Sequence, residues 1–118
     1  MSELAEIEVL EAESGDNPVG TVIWMHGLGA DASDFEPIVP ILELEQSLRF
    51  VFPNAPVRPI TINGGAEMRG WYDIDPGAPL KGTEDIDASA AAIAQLIDRE
   101  VQNGVAENKI TLAGFSQG

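Results

Sequence analysis

The feature that most constrains the fold is an alternation of short apolar runs with segments of helical character. Continuous β-rich runs at residues 21–25, 48–52 and 110–113 have the composition of buried strands. Helical signals fall between these runs. Strands that alternate with helices predict a mainly parallel sheet with helices on both faces. The fold class expected is therefore α/β.

Two segments carry helix signals. Ser33 and Glu36 fit a capping box, so we expect a helix to begin there. Pro40 has no N–H to donate to the preceding turn, so this helix should be short or kinked. A second helix is expected from Thr83 to near Gly104. Its apolar residues recur at spacings of three and four: Ile86, Ala90, Ile93, Ile97 and Val101.

The remaining segments predict an edge strand and a long loop. Residues 6–11 alternate acidic and apolar side chains, which is typical of a half-exposed strand, and residues 14–18 supply a turn. Residues 54–81 carry repeated prolines and the Gly64-Gly65 pair without a long periodic segment. A loop of that length tends to be functional.

Composition excludes several classes of protein. Six basic and 20 acidic residues give a formal net charge of −14, which repels a phosphate backbone and rules against nucleic acid as a partner. The absence of cysteine excludes thiolate catalysis and disulfides. No signal-peptide pattern and no run long enough to span a bilayer occur. We expect a soluble, cytoplasmic protein without a transmembrane segment.

A serine motif follows the last strand. Gly114-x-Ser116-x-Gly118 matches the nucleophile elbow, a sharp strand-to-helix turn whose small flanking residues relieve crowding around a raised serine. An acyl-transfer serine also needs backbone N–H donors for the oxyanion. Gln117 and Leu28 occupy the two usual places, after the nucleophile and after an earlier strand. We predict Ser116 as the nucleophile, with Leu28 and Gln117 as donors.

The ordered motifs resemble a known family, the phospholipase/carboxylesterase group of α/β-hydrolases, which contains acyl-protein thioesterases and bacterial carboxylesterases. The resemblance covers nearly the whole chain. It rests on His26-Gly27-Leu28-Gly29, Phe52-Pro53-Asn54-Ala55-Pro56, Asn63-Gly64-Gly65, Trp71-Tyr72-Asp73 and Gly114-Phe115-Ser116-Gln117-Gly118. It implies an α/β-hydrolase fold in which residues 1–118 form the N-terminal part of a single domain, roughly its first half, ending at the nucleophile elbow.

The resemblance also implies a chemistry. Members hydrolyse carboxylic esters or thioesters of short to medium acyl chains through an acyl-serine, without a cofactor or metal. It places Trp71 beside the acyl pocket, and Met68 is a further candidate for substrate binding. The remaining motif residues are expected to support the site: His26, Gly27, Gly29, Gly114 and Gly118. A homodimer is compatible with the resemblance.

The general base is missing from these residues. The family's catalytic aspartate and histidine follow the serine, so we expect a second chain or a further segment to supply them, and this chain alone to be inactive. His26 is the only histidine, precedes Ser116, and is expected to hold its loop by hydrogen bonding. Solvation and capping explain Asp73, Asp75 and Asp85 more simply than catalysis does.

Other readings stay open at this point. A non-catalytic module that binds acyl ligands would fit the missing base. A lysophospholipase or an acyltransferase would use the same acyl-serine. Arg58 and Arg69 could meet an anionic substrate group, although pairing with the abundant carboxylates is the simpler expectation.

Overall fold

The computed structural model describes residues 7–118. Their strands and one α-helix follow in chain order: β1 (Val9–Glu13), β2 (Thr21–Met25), β3 (Arg49–Pro53), β4 (Val57–Ile60), β5 (Ala66–Arg69), α1 (Thr83–Gln102) and β6 (Ile110–Gly114). Short 3₁₀ turns lie at Ala32–Asp34, Glu36–Ile41, Thr61–Asn63 and Glu107–Lys109. The three strands and the long helix predicted from the sequence are found to within a residue or two. Strands β2 and β3 are largely buried as expected, whereas β6 is half-exposed.

Four strands form the main sheet in the order β1-β3-β2-β6. Strand β1 is antiparallel to β3 at the edge, whereas β2 is parallel to both β3 and β6. The predicted edge strand is therefore confirmed at Val9–Glu13, and Glu6 lies outside the described residues. Because Thr21 is paired with both Arg49 and Ile110, the carboxyl ends of the three parallel strands meet at one edge of the sheet.

Side chains of the sheet alternate between two apolar layers. On one face Ile23 and Val51 pack with Ile93 and Leu96 of α1. On the other face Phe50 and Phe52 pack beneath the 3₁₀ turns that contain Ala32 and Val39. The continuous apolar runs of β2 and β3 thus supply both layers, because successive side chains of a strand point to opposite faces of the sheet. The α-helix covers one face and the 3₁₀ segments cover the other.

The capping box predicted at Ser33 is not formed. Ser33 donates through its N–H and its hydroxyl to the side chain of Asp31, which caps the Ala32–Asp34 turn. Asp31 replaces Glu36 as the acceptor because its carboxylate reaches the amide two residues ahead in an Asx-type turn. A separate 3₁₀ turn then runs over Glu36–Ile41 and contains Pro40, so the expectation of a short helix holds while its start was wrong.

The uninterrupted loop predicted over residues 54–81 was also wrong in its first half. Strands β4 and β5 form an antiparallel hairpin with Val57 opposite Arg69. Gly64 and Gly65 have φ values of 68° and 81°, the left-handed region that closes such a turn. Strands of four residues are too short to give a periodic signal. In addition, Pro59 lies within β4, and proline in a sequence argues against a strand.

A buried carboxylate ties the amino end of the sheet to α1. Glu100 is 1% exposed and accepts from Thr21 Oγ1 at 2.8 Å and from Arg49 Nε at 3.0 Å. Arg49 also pairs with Glu11 on β1, at 3.0 Å. Hydrogen bonds to Glu100 and then to Glu11 raise the pKa of Arg49 above its ordinary value, so the guanidinium stays charged.

Replacing Glu100 by glutamine tests this network. Glu100→Gln leaves Arg49 half-buried beside a neutral amide, and we expect it to lower the free energy of unfolding by about 2–3 kcal/mol. Equilibrium urea unfolding measures the change. The matched control is Glu11→Gln, which removes an exposed partner of the same arginine and should cost less than about 1 kcal/mol. Equal losses in the two variants would contradict the importance of burial.

Candidate active site at the carboxyl edge of the sheet

Ser116 lies in a tight turn directly after β6. Its φ of 57° is in the left-handed region, which non-glycine residues seldom adopt. Phe115 N donates to Met25 O at 3.2 Å, and Gly118 N donates to Phe115 O at 3.0 Å. The turn is thereby closed and fixed to the end of β2, with Ser116 exposed above the sheet. A side chain held at positive φ is typical of a strained functional position.

The glycines around Ser116 allow close backbone approach. A Cβ on Gly114 would overlap the backbone of Gly118, and a Cβ on Gly118 would overlap the carbonyl groups of Met25 and His26. A Cβ on Gly27 would lie 3.2 Å from Ser116 Cβ. The loop after β2 and the turn after β6 can therefore meet only where these three positions lack side chains.

His26 is 2% exposed and both of its ring nitrogens are occupied. Ala55 N donates to Nε2 at 3.0 Å, so Nε2 carries no proton in this bond and Nδ1–H is the donor to Gly27 O at 2.7 Å. Neither nitrogen is free to take a proton from Ser116 in this arrangement. The hydrogen bonds connect the loop after β2 with the loop after β3.

Leu28 occupies a β-turn beside the serine. Ala30 N donates to Gly27 O at 3.2 Å and Gly29, with φ 78°, takes the position where glycine is favoured. Gly29 N donates to Arg69 O at 2.8 Å, which fixes the turn to the hairpin. Within residues 7–118, the backbone N–H groups of Leu28 and Gln117 have no acceptor.

Trp71 is buried behind the Leu28 turn. Its indole Nε1 donates to His26 O at 2.9 Å, and the His26 and Trp71 rings lie 5.3 Å apart. Its backbone N donates to Gln117 Oε1 at 2.7 Å, while its carbonyl accepts from Ser89 Oγ on α1. Trp71 thus contacts the loop after β2, the serine turn and the helix at once.

An apolar groove of about 450 Å³ runs from the serine turn between α1 and β6. Trp71 and Gln117 lie at the end of the groove nearest the serine turn. Leu112 and Ile86 lie along the groove and are 50% and 48% exposed. Four residues of the apolar stripe predicted for α1 line this groove: Ile86, Ala90, Ile93 and Ile97. Ile93 and Ile97 also pack on the sheet, whereas the predicted Val101 is exposed. Met68 does not line it. That side chain lies against Gly29 and Asn63, on the other side of the Leu28 turn.

The aspartates near the site are engaged elsewhere. Asp73 accepts from the backbone N and then the hydroxyl of Thr61, bonds that hold the pKa of its carboxyl below the ordinary value. Asp85 pairs with Arg58 at 2.8 Å and accepts from Asp73 N at 3.0 Å. Asp75 accepts from Gly77 N. These contacts agree with the capping and pairing expected for Asp73, Asp75, Asp85 and Arg58.

The pairing expected for the second arginine is found as well. Arg69 Nη2 forms an ion pair with Glu8 Oε1 at 3.7 Å, and its Nη1 donates to Ala55 O at 2.7 Å. Among residues 7–118, no group of three or more candidate ligands could hold a metal ion.

Two contacts that position the site were not predicted. One is the bond from Ser89 to the Trp71 carbonyl, and the other is the use of the Gln117 side chain as well as its backbone. A polar residue on the groove-lining side of α1 is a weak signal for the first. The second has no sequence signal, because Trp71 and Gln117 are 46 residues apart.

The sheet order, the helical covering and the turn after β6 define an α/β-hydrolase fold. The chain belongs to the phospholipase/carboxylesterase family, whose pattern it matches over residues 6–118. The family resemblance predicted from the motifs is thus confirmed, as is the fold.

Named relatives place the chain within this family. It is 37% identical over 100 residues to acyl-protein thioesterase 1 of Schizosaccharomyces pombe, covering 83% of this chain and 45% of the relative. It is 35% identical to carboxylesterase SOBER1 of Arabidopsis thaliana, covering 82% and 45%. The crystal structure of Zea mays acyl-protein thioesterase 2 superposes with a TM-score of 0.77 at 29% identity, covering 93% and 46%.

These figures also describe the extent of the chain, which spans about half the length of the relatives it matches. In the part of the chain that the structure describes, no helix has the length and apolarity needed to cross a membrane.

Adding one methyl group at Gly114 tests the close approach of the two loops. Gly114→Ala should lower the free energy of unfolding by about 1–3 kcal/mol, because its Cβ meets rigid backbone that cannot move aside. Thermal or urea unfolding measures the loss. Gly77→Ala is the matched control: its Cβ meets only Asp75 Oδ1, at 3.4 Å, and its cost should stay within about 0.5 kcal/mol. A Gly114→Ala protein as stable as this control would contradict the packing described.

Proposed function

We propose that this chain supplies the nucleophile and the oxyanion donors of a serine hydrolase that cleaves carboxylic esters or thioesters. One observation carries the proposal: Ser116, held at positive φ at the carboxyl edge of the sheet, lies against a turn whose amide is free, and the following amide is free as well. This is the arrangement that acyl transfer requires. The names of the relatives, thioesterase and carboxylesterase, support the same reaction class.

The mechanism follows from this arrangement. Ser116 Oγ attacks the acyl carbonyl carbon while a general base takes the hydroxyl proton. Negative charge moves to the carbonyl oxygen, where the N–H groups of Leu28 and Gln117 stabilise it. The carbon–oxygen or carbon–sulfur bond then breaks, and the base returns the proton to the departing alcohol or thiol. Water attacks the acyl-serine by the same route, which releases the carboxylic acid and restores Ser116.

The base in this proposal comes from residues other than 1–118. A serine hydroxyl needs an imidazole oriented by a carboxylate, and both nitrogens of His26 already take part in backbone hydrogen bonds. The relatives are about twice as long as this chain. We therefore place the aspartate and histidine on a further segment or a second chain, with residues 1–118 forming the N-terminal part of one domain.

The apolar groove supports the same division. Leu112 on β6 and Ile86 on α1 expose about half of their surface in the groove. Contact of that much apolar surface with water would be unfavourable in a complete domain. A helix continuing from the serine turn would cover them. We place the acyl chain at the end of the groove that Trp71 lines. Because the helix expected after the serine turn would share that end of the groove, we propose that the acyl chain is short to medium in length. A substrate contact of Met68 stays a prediction, as do a cytoplasmic location, a homodimer and the absence of a cofactor.

Substitution of the serine tests the proposal directly. In the catalytically complete protein, which contains this chain and the segment carrying the histidine, Ser116→Ala should abolish turnover of p-nitrophenyl esters and of an acyl thioester. It should also abolish covalent labelling by a fluorophosphonate. Loss of the nucleophile costs on the order of 10⁶ in kcat in comparable hydrolases, so no residual rate should be measurable above background.

The control for this experiment is Ser33→Ala, which removes an exposed hydroxyl that bonds to Asp31 and belongs to neither the serine turn nor the Leu28 turn, and it should retain labelling and turnover. Undiminished turnover by Ser116→Ala would refute the assignment. Saturable binding of acyl ligands by wild-type protein, with no product released and no labelling, would instead favour the non-catalytic acyl-binding module. Discharge of the acyl group to an alcohol in preference to water would favour an acyltransferase.

A further inference from the structure

We infer that the Gln117 side chain is a positioning group. It holds the serine turn, which carries the Gln117 N–H, in a fixed position relative to residues 70–73, here called the Trp71 wall of the acyl site. The inference rests on the proposed function and extends it, because the proposed mechanism uses only the backbone N–H of Gln117. Its consequence is that the fit of the acyl chain and the stabilisation of the oxyanion depend on the same hydrogen bonds.

Both ends of the Gln117 carboxamide are bonded to consecutive residues of the wall. Oε1 accepts from Trp71 N at 2.7 Å, and Nε2 donates to Tyr72 O at 2.8 Å. An amide paired in this way is fixed in orientation as well as in distance. Since the side chain and the backbone N–H belong to the same residue, fixing the carboxamide restricts the direction of that N–H.

The wall itself is held rigidly by other elements. Side chains of β4 and α1 bond to the backbone of residues 70–73: Arg58 donates to Gly70 O, Ser89 donates to Trp71 O, and Asp85 accepts from Asp73 N. Backbone groups satisfied by separate side chains resist displacement. The Gln117 carboxamide is therefore bonded to a fixed point on the scaffold.

The same wall also contacts the other proposed donor residue. A Cβ on Gly70 would lie 3.0 Å from Leu28 Cδ1 and 3.5 Å from Gln117 Oε1. Residues 70 and 71 thus lie against both Leu28 and Gln117. By contrast, the backbone hydrogen bonds of the serine turn come from Phe115 and Gly118, and within residues 7–118 none of them involves the Gln117 amide. The side-chain bonds of Gln117 therefore add a second constraint on that amide to the one that the bonds of Phe115 and Gly118 supply.

Gln117→Met in the catalytically complete protein tests this role, because methionine keeps the length of the side chain and removes both hydrogen bonds. A misplacement of about 1 Å at a reacting group can cost 10²-fold, so we expect kcat on an acetyl ester to fall by about 10- to 100-fold. The KM for that short ester should change by less than about threefold, since its acyl group does not reach the wall. The KM for an octanoyl ester should rise, because Trp71 is no longer held.

Thr21→Val is the matched control for stability. It removes one buried side-chain hydrogen bond at the opposite end of the sheet, so it should lower the unfolding midpoint without changing either kinetic constant. A Gln117→Met enzyme that is destabilised but has wild-type kcat and KM would overturn the inference, because the side chain would then be structural only. A rise in KM with unchanged kcat on the acetyl ester would overturn the coupling to the oxyanion.

A second measurement needs no substitution. Hydrogen exchange in the wild-type protein should show the Trp71 amide protected well above an exposed amide, because it donates to Gln117 Oε1. Exchange as fast as in an exposed loop would overturn the inference even if Gln117→Met fails to fold. Wild-type turnover and its loss in Ser116→Ala are recorded alongside. Absence of wild-type turnover, or turnover retained by Ser116→Ala, would contradict the proposed function. If both results are as expected and Gln117→Met has normal kinetics, only the role of the side chain is contradicted.

Discussion

The site depends on a backbone contact that excludes side chains. Gly114 and Gly118 lie so close to each other and to the end of β2 that a methyl group at either would overlap peptide atoms, and Gly27 faces Ser116 in the same manner. The parallel register of β2 with β6 brings Met25 opposite Gly114 and so sets this contact. Sheet pairing therefore fixes where Ser116 lies relative to the Leu28 turn, and the glycines make that position sterically allowed.

The two ends of the sheet are stabilised by different interactions. At the amino end, a buried carboxylate and a charged guanidinium join α1 to β2 and β3. At the carboxyl end, the side chains that bond to the serine and Leu28 turns are neutral: His26, Trp71 and Gln117. A chain with a net charge of −14 thus keeps carboxylates off the turns where an oxyanion would form. Backbone dipoles can then stabilise that charge without an opposing fixed charge in direct contact.

The sequence predicted the elements whose signal is local and repeated. The run Thr21–Met25, the helical spacing from Thr83 and the Gly114-x-Ser116-x-Gly118 pattern each depend on residues close together in the chain, and each is where it was expected. The start at Ser33 was missed because two local hydrogen-bonding schemes competed for one hydroxyl. Local propensity does not decide between a capping box and an Asx-type turn, since both provide a carboxylate acceptor for the Ser33 N–H.

What sequence reasoning could not reach are bonds between distant segments. The Gln117 carboxamide accepts from the backbone N–H of Trp71 and the Ser89 hydroxyl donates to its carbonyl, and a backbone partner leaves no trace in residue type. The hairpin β4–β5 was hidden for a related reason: it is fixed by cross-strand pairing of Val57 with Arg69 while its strands are only four residues long. Pairing partners of this kind become visible only once the fold brings them together.

The hydrogen bonds described for the serine turn, the Leu28 turn and the Trp71 wall all close within residues 7–118. On the proposed function, the segment that carries the histidine would not have to build the oxyanion donors. It would only have to place an imidazole within hydrogen-bonding distance of Ser116 and cover Leu112 and Ile86. A site divided in this way keeps the donor geometry independent of the base, because each half is positioned by its own contacts.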